Sequence, residues 1–339
     1  MVIEPTGQLV IVSERLGPIT EVERQLATVG SRVETRALWS SLEVRRNAAD
    51  ADVVIIGAVE PFGRDELEAL PRLRGIVRRG VGVDNVDVVA ATELGIIVAN
   101  VPDASVEEVS DHSLTLLLAL ERRINVLDSA VHNSGSGATA ERIQEISSQS
   151  RRFVDLTLGV VGFGRIGKAM ARKAQSVYGR VLISDPFLAP ESIDASGVTF
   201  VPLSVLLGEA DHVSLHLPLS DDTRNLIGKA ELEIMKKESI LVNCSRGGLV
   251  DEVALVAALQ EKRLAAAGLD VTAIEPIPAD HQLLKADGVT LTGHAAAWSI
   301  TARRLLAVRS VQAAQMVLQG NMPASSVNAN ALGSRARQP

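Results

Sequence analysis

Short runs rich in β-branched residues recur along the 339-residue chain, each followed by a stretch long enough for a helix. The first are LVIVS (9–13), ADVVIIG (51–57), GIVRRG (75–80) and GIIVAN (95–100). A strand that is apolar throughout needs cover on both faces, and the intervening helical segments supply it over a parallel sheet. A second series follows in LTLGVVGF (156–163), VLISD (181–185), HVSLHLP (212–218), SILVNCS (239–245), AAAGLDV (265–271) and GVTLTGH (288–294), which predicts roughly six more strands. Two such series in a chain of this length predict two α/β domains.

Composition narrows the function classes. Apolar residues make up 46% and charged residues 22%, ordinary globular usage, so disorder and coiled coil are excluded as overall descriptions. Lys plus Arg number 34 against 41 for Asp plus Glu, a net charge of −7, the wrong sign for holding nucleic acid by its phosphates. Five Phe, two Trp and one Tyr also leave few platforms for stacking bases. The single cysteine, Cys244, cannot form an internal disulfide, and no Cys/His cluster offers a zinc site, so no metal is expected. The apolar stretch Leu114 to Leu120 is far short of the roughly 20 residues of a membrane span, and MVIEPTG lacks the basic start of a signal peptide. These features point to a cytoplasmic protein with no membrane partner.

Pro102 ends the first series, and Ser105 with Glu108 three residues on has the form of a capping box opening a long helix. A new unit is expected to begin there. The patch NSGSGATA (133–140) reads as a loop, and the stretch Thr301 to Gln319 as a helix ending at Gly320. The tail ANALGSRARQP has little left to pack.

GVVGFGRIGKAM places Gly162, Gly164 and Gly167 in the spacing GxGxxG between an apolar strand and a helix. The first glycine allows a tight turn, the second a close approach of backbone to a pyrophosphate, and the third close packing of helix on strand. The helix N-terminus adds free N–H groups and positive dipole for phosphate. Asp185 ends the next strand about 20 residues on, where a carboxylate accepts from ribose hydroxyls. No Arg or Lys follows it in DPFL, so a 2′-phosphate would meet uncompensated negative charge, and NAD is expected over NADP.

Three polar residues close later strands, where open α/β sheets place their ligands: Arg246, Glu275 and His294. A guanidinium is the planar fork that holds a carboxylate, and an imidazole gives or takes a proton near neutrality when a carboxylate orients it. Each has a mundane alternative. Arg246 can pair with Asp251, Glu275 can cap the turn before Pro276, and His294 can be a satisfied core residue.

GIVRRGVGVDNVD, ANVPDASVEEVSDHS, GVVGFGRIG, HLPLSDDTRNLIG, ILVNCSRGGLVDE, GLDVTAIEP and GHAAAWS, in this order over about residues 50 to 327, closely resemble the NAD-dependent D-2-hydroxyacid dehydrogenases. The nearest flavour is the C-terminal-binding-protein-like branch, with phosphoglycerate dehydrogenases as cousins. The resemblance implies an α/β fold of two Rossmann-like, doubly wound parallel-sheet domains with a cleft between them. Residues 1–102 plus 294–339 would form the substrate domain and residues 103–293 the NAD-binding domain. It also implies a homodimer built largely on the cofactor domains, acting on a small 2-oxo or 2-hydroxy acid.

Carried over motif by motif, the resemblance makes Arg246 the binder of substrate carboxylate and carbonyl, His294 the acid/base and Glu275 its support. The backbone of Val81 and Gly82 would hold the substrate carboxylate beside Arg78. NAD would be taken by Gly162, Gly164, Arg165, Ile166, Gly167 and Asp185, joined by Ser113, Leu217, Pro218, Thr223, Cys244, Ser245, Arg246, Asp270 and His294. The sequence departs from the C-terminal-binding-protein branch after the histidine, where Ala297 takes the usual tryptophan position and Trp298 follows. The chain stops without the regulatory extension of long phosphoglycerate dehydrogenases, so serine control is not expected. The same resemblance allows an NAD(H)-responsive scaffold or co-repressor instead of an enzyme. A further alternative keeps the chemistry and gives Arg78 and Arg79 a second anionic group, phosphate or phosphonate, although Arg79 reads more simply as an exposed charge.

Overall fold

The computed structural model describes residues 7–26, 30–134, 140–188 and 197–338. The chain divides into two compact units, one made of Met1–Ser105 with Trp298–Pro339 and the other of Val106–Ala297. The sequence-based boundaries at Pro102 and His294 therefore stand a few residues early, and His294 belongs to the second unit. Most of the Gly/Ser patch, residues 135–139, lies outside the described residues.

The first unit holds a five-stranded sheet of β1 (Leu9–Ser13), β2 (Arg32–Arg36), β3 (Val53–Ile56), β4 (Gly75–Arg78) and β5 (Ile97–Ala99), in the order β2-β1-β3-β4-β5. All four pairings are parallel. Side chains alternate across the pleat, and each strand feeds two cores: Leu9 and Ile11 of β1 and Val54 and Ile56 of β3 pack on one face. Val10, Val12, Val53 and Ile55 pack on the other. Each side chain of this size buried from water contributes about 1.5–3 kcal/mol. The helix Ile300–Leu318, capped by the Ser299 hydroxyl accepting from the Ala302 N–H, covers β3 and β4. Strand β2 was missed in the sequence because RVETR is polar; it is an edge strand with its residues half-buried or exposed.

The tail also differs from expectation. Leu332 is buried, and Asn328 is locked against β5 by a bond accepted from the Val98 N–H and one donated to the Ile96 carbonyl. Arg337 donates to the carbonyls of Leu70, Leu73 and Leu94. Backbone carbonyls at helix ends lack partners within their own helix, so a polar tail finds bonding sites that an apolarity count overlooks.

The second unit holds a seven-stranded sheet of β6 (Thr157–Val161), β7 (Arg180–Ser184), β8 (Thr199–Phe200), β9 (His212–Leu215), β10 (Ile240–Asn243), β11 (Ala266–Leu269) and β12 (Val289–Leu291). Its order is β12-β11-β10-β9-β6-β7-β8, all parallel. The chain starts at β6, winds out through β7 and β8, then returns to the other side of β6 with β9. That reversal between β6 and β9 is the topological switch point, where doubly wound sheets open a crevice for ligands. The helix Val106–Glu121 begins just after Ser105 and packs on β10 and β11. Two cores cover the two faces of this sheet as well, with Val213, Leu215 and Leu241 in one and Ile240 and Val242 in the other.

Candidate active site

Six strand ends of the second sheet carry the residues singled out above. Gly162 follows β6, Asp185 follows β7, Leu217 and Pro218 follow β9, Cys244 to Arg246 follow β10, Asp270 follows β11, and His294 follows β12. A parallel sheet points all its C-terminal ends one way, so residues far apart in sequence share one edge.

The glycine turn fits a dinucleotide on three counts. Gly162 has φ +90°, and a β-carbon there would stand 2.5 Å from the His216 carbonyl oxygen. A β-carbon on Gly167 would overlap the Gly162 carbonyl, so helix and strand can approach only with glycine in place. Around Gly164 there is open space, and as N-cap of the helix Arg165–Ala174 it offers no side-chain oxygen to the first-turn N–H groups. Those donors, with Arg165 and Ile166 in the first turn, are left for an anion. The Asp185 carboxylate accepts from the N–H of Phe163 at 2.8 Å and of Phe187 at 3.0 Å, which ties the turn to the end of β7. Thr223 accepts from the Ser220 N–H and donates to the Pro218 carbonyl, closing the loop after β9.

Below this edge Ser113 is buried in the helix Val106–Glu121, with its hydroxyl donating to the Val109 carbonyl. Cys244 is buried in contact with Ser113, and burial pushes its thiol up to about 12. It is a neutral packing thiol at physiological pH, not a nucleophile.

Glu275 Oε2 lies 2.6 Å from Nδ1 of His294. The other oxygen of Glu275 accepts from the Thr272 N–H, so the mundane turn bond and the bond to the histidine coexist. Glu252 braces the same loop by accepting from the Ala273 N–H. Asp251 does not pair with Arg246; it caps the helix Glu252–Gln260 through the N–H groups of Val253 and Ala254. The Arg246 Nη1 donates to the Ser245 carbonyl at 2.7 Å, while Asn243 accepts from the Ser245 N–H and donates to the Arg246 carbonyl. Gly247 passes so close to the Thr272 carbonyl that no side chain fits there. The turn carrying Arg246 is thereby pressed against the loop carrying Glu275.

Asp270 shows a feature the sequence did not signal. It is 2% exposed, and its carboxylate accepts from the Thr292 hydroxyl and from the N–H groups of Ala295 and Ala296. His112 Nε2 stands 2.9 Å from that hydroxyl. Position at a strand end marks Asp270, but neither His112 nor Thr292 belongs to a pattern that would have named them.

The remaining three predicted residues, Arg78, Val81 and Gly82, lie at and after the end of β4 in the first unit. Arg78 is buried and its guanidinium fills the space a β-carbon on Gly80 would need. The Val81 carbonyl accepts from the Asn100 side chain. Arg79 is not the exposed charge expected: its side chain is 11% exposed and donates to the buried Glu23 at 2.6 Å. Among the described residues no group of His, Cys, Asp or Glu is arranged to hold a metal ion, and no helix is long and apolar enough to cross a membrane.

A doubly wound sheet with a glycine turn at its switch point and a histidine–carboxylate pair on the same edge has the form of the dinucleotide-binding class of α/β fold. A sequence model of the D-isomer specific 2-hydroxyacid dehydrogenase, NAD binding domain, matches residues 114–296, and the chain belongs to that family. It is 36% identical over 312 residues to the D-3-phosphoglycerate dehydrogenase of Methanocaldococcus jannaschii, covering 92% of this chain and 58% of that protein. It is 39% identical over 279 residues to the glyoxylate reductase of Korarchaeum cryptofilum, covering 82% of this chain and 83% of that one. A protein of Thermus thermophilus has a solved structure that superposes with a TM-score of 0.84 at 33% identity, covering 94% of this chain and 100% of that chain. The chain thus spans less than two thirds of the phosphoglycerate dehydrogenase and most of the glyoxylate reductase.

Proposed function

We propose that this protein reduces a small 2-oxo acid to the D-2-hydroxy acid with NADH, and runs the reverse with NAD. The observation that carries the reading is the 2.6 Å contact between Glu275 and His294 on the strand-end edge that also holds the glycine turn. In this reading the second unit is the cofactor domain and the first unit, with Arg78, Val81 and Gly82, is the substrate domain.

The cofactor supplies the hydride. Arg246 holds the substrate carboxylate and polarises the carbonyl, as a planar fork does. His294 donates to Glu275 through its Nδ1–H, which leaves Nε2 to hand a proton to the forming alkoxide. Reduction needs the protonated ring and oxidation the neutral one, so the two directions should lose activity at opposite ends of the pH range. Glu275→Gln keeps a hydrogen bond at Nδ1 but loses the carboxylate that fixes the ring; kcat for reduction should fall while the KM for NADH changes little, which NADH oxidation measures. Asp185, with no basic neighbour in DPFL, supports NADH over NADPH.

The names of the two relatives include a phosphorylated and an unphosphorylated acid. The pairing of Arg79 with Glu23 occupies one of the two arginines considered for a second anionic group, and the reading favours an unphosphorylated acid. The decisive experiment is a screen of 2-oxo acids of varied size and charge, each with NADH and with NADPH, following cofactor absorbance. Turnover of several acids with NADH supports the reading. No turnover of any, or near-normal turnover by His294→Ala, rejects it. The exposed Ile124, Val126 and Val131 on the helix Ile124–Ser134 support a homodimer, which light scattering at micromolar concentration checks. A cytoplasmic location goes with this reading and is checked by fractionation.

A further inference from the structure

His294 has φ +61° and follows Gly293 at φ +62°, so the chain leaves β12 through two successive left-handed residues, the second carrying a side chain. A residue with a β-carbon stays in that region only where its surroundings over-determine it. Here one residue does most of the holding. The backbone carbonyl of Asp270 accepts from the His294 N–H at 2.5 Å, and its carboxylate accepts from the Ala295 N–H at 2.8 Å and the Ala296 N–H at 2.9 Å. Three consecutive amides of the histidine loop thus end on Asp270.

The Asp270 carboxylate is itself oriented. The Thr292 hydroxyl donates to its Oδ1 at 2.6 Å. A hydroxyl has one proton, so the 2.9 Å contact between Thr292 and His112 must run from the His112 Nε2–H to the threonine oxygen. His112 sits on the helix Val106–Glu121, and its Nε2 is 3.7 Å from Asp270, beyond hydrogen-bond reach. The threonine is therefore the link. The chain of bonds runs from the helix through Thr292 to Asp270 and on to the backbone that presents the His294 ring to Glu275.

We propose that His112 and Thr292 are positioning residues for the proton-transferring histidine, acting through Asp270. The inference rests on the role of His294 given above. Bonds that chain together in a buried site fix one geometry more firmly than isolated pairs, and a proton donor displaced by a fraction of an ångström loses rate without losing substrate.

The test uses the full chain with NADH and glyoxylate. Thr292→Val keeps the shape and removes the hydroxyl; kcat should fall between about tenfold and a hundredfold, while the KM for NADH and its affinity by fluorescence stay near wild type. Thr292→Ser should return most of the lost rate. The isotope effect with NADH deuterated at the transferred position should rise as hydride transfer becomes limiting. His112→Phe should give a similar loss, and the double variant should be no worse than either single one, because both cut the same chain. Thermal melting establishes that each variant is folded, and if Thr292→Val is not, Thr292→Ser and His112→Phe carry the comparison. The proposal is overturned if folded Thr292→Val and His112→Phe keep wild-type kcat, if only the KM for NADH moves, or if the two losses multiply. His294→Ala separates the levels: if it is inactive while Thr292→Val is normal, the positioning role alone fails, and if it retains turnover the acid/base reading fails with it.

Discussion

A β-carbon at Gly167 would collide with the Gly162 carbonyl, whereas one at Gly164 would meet nothing within 4 Å. The two glycines of one motif thus differ: the fold requires the first, whereas no neighbour in the chain requires the second, which the proposed function assigns to the approach of the cofactor. Gly167→Ala should lower the melting temperature and weaken NADH binding together, since backbone oxygen cannot yield as a side chain does. Gly164→Ala should leave melting unchanged and weaken NADH binding by about tenfold, equivalent to about 1.4 kcal/mol. Calorimetry and NADH titration of both variants decide it, and a melting loss in Gly164→Ala would contradict the assignment. The sequence spacing puts these glycines in the turn between β6 and the helix Arg165–Ala174, where they lie, because a strand-to-helix turn is a local requirement. It was less informative about Arg79, whose partner Glu23 lies on a different element of the first unit.

At the scale of elements, a buried polar chain ties the helix Val106–Glu121 to β9 and to the approach to β7. The Tyr178 hydroxyl is 2.7 Å from Nδ1 of His212, and Nε2 of His212 is 2.9 Å from Glu121, which also accepts from Arg151. With Glu121 ionised, Nε2 carries the proton and Nδ1 accepts from the tyrosine. Phe153 and Tyr178 pack edge to face beside it. Tyr178→Phe keeps the ring contacts and leaves Nδ1 buried without a donor, which should cost about 1–3 kcal/mol in denaturant unfolding with activity little changed. An unaltered unfolding midpoint would show that Nδ1 finds another donor. None of this chain was visible in the sequence. Tyr178 and His212 lie at opposite sides of the β7–β8 segment in sequence and meet only because β7 and β9 both flank β6.

For the whole molecule, these buried groups set the response to acid. Burial lowers His216 from its ordinary 6.5 to about 3, and burial also lowers His212. Burial alone would raise Glu121, but the bonds from His212 and Arg151 outweigh it and bring the carboxyl from 4.5 to about 2. In each case the unfolded chain takes up the proton at a higher pH than the native protein does. The stability these groups confer is therefore complete above their unfolded values and lost as pH falls towards the folded ones. Melting temperature should begin to fall below about pH 6.5, through the histidines, and fall more steeply below about pH 4.5, through Glu121. A melting temperature flat from pH 7 to pH 4 would show that these groups do not stay in their buried states.

What the sequence determined by itself was the α/β architecture, most of the strands, the dinucleotide turn, and Arg246, Glu275 and His294 as strand-end residues. Hydrophobic period, glycine stereochemistry and motif spacing are properties of contiguous residues, so they are present in the chain before it folds. Strands β2 and β8 escaped because one is polar and the other is two residues long. Tertiary structure alone decided which polar groups answer one another: Thr292 with His112, Asp270 with the amides after His294, and Arg337 with carbonyls more than two hundred residues away. The physical reason is that burial makes an unpaired donor or acceptor expensive, and the partner that satisfies it is whichever group the folded backbone brings within about 3 Å, not the one nearest in sequence.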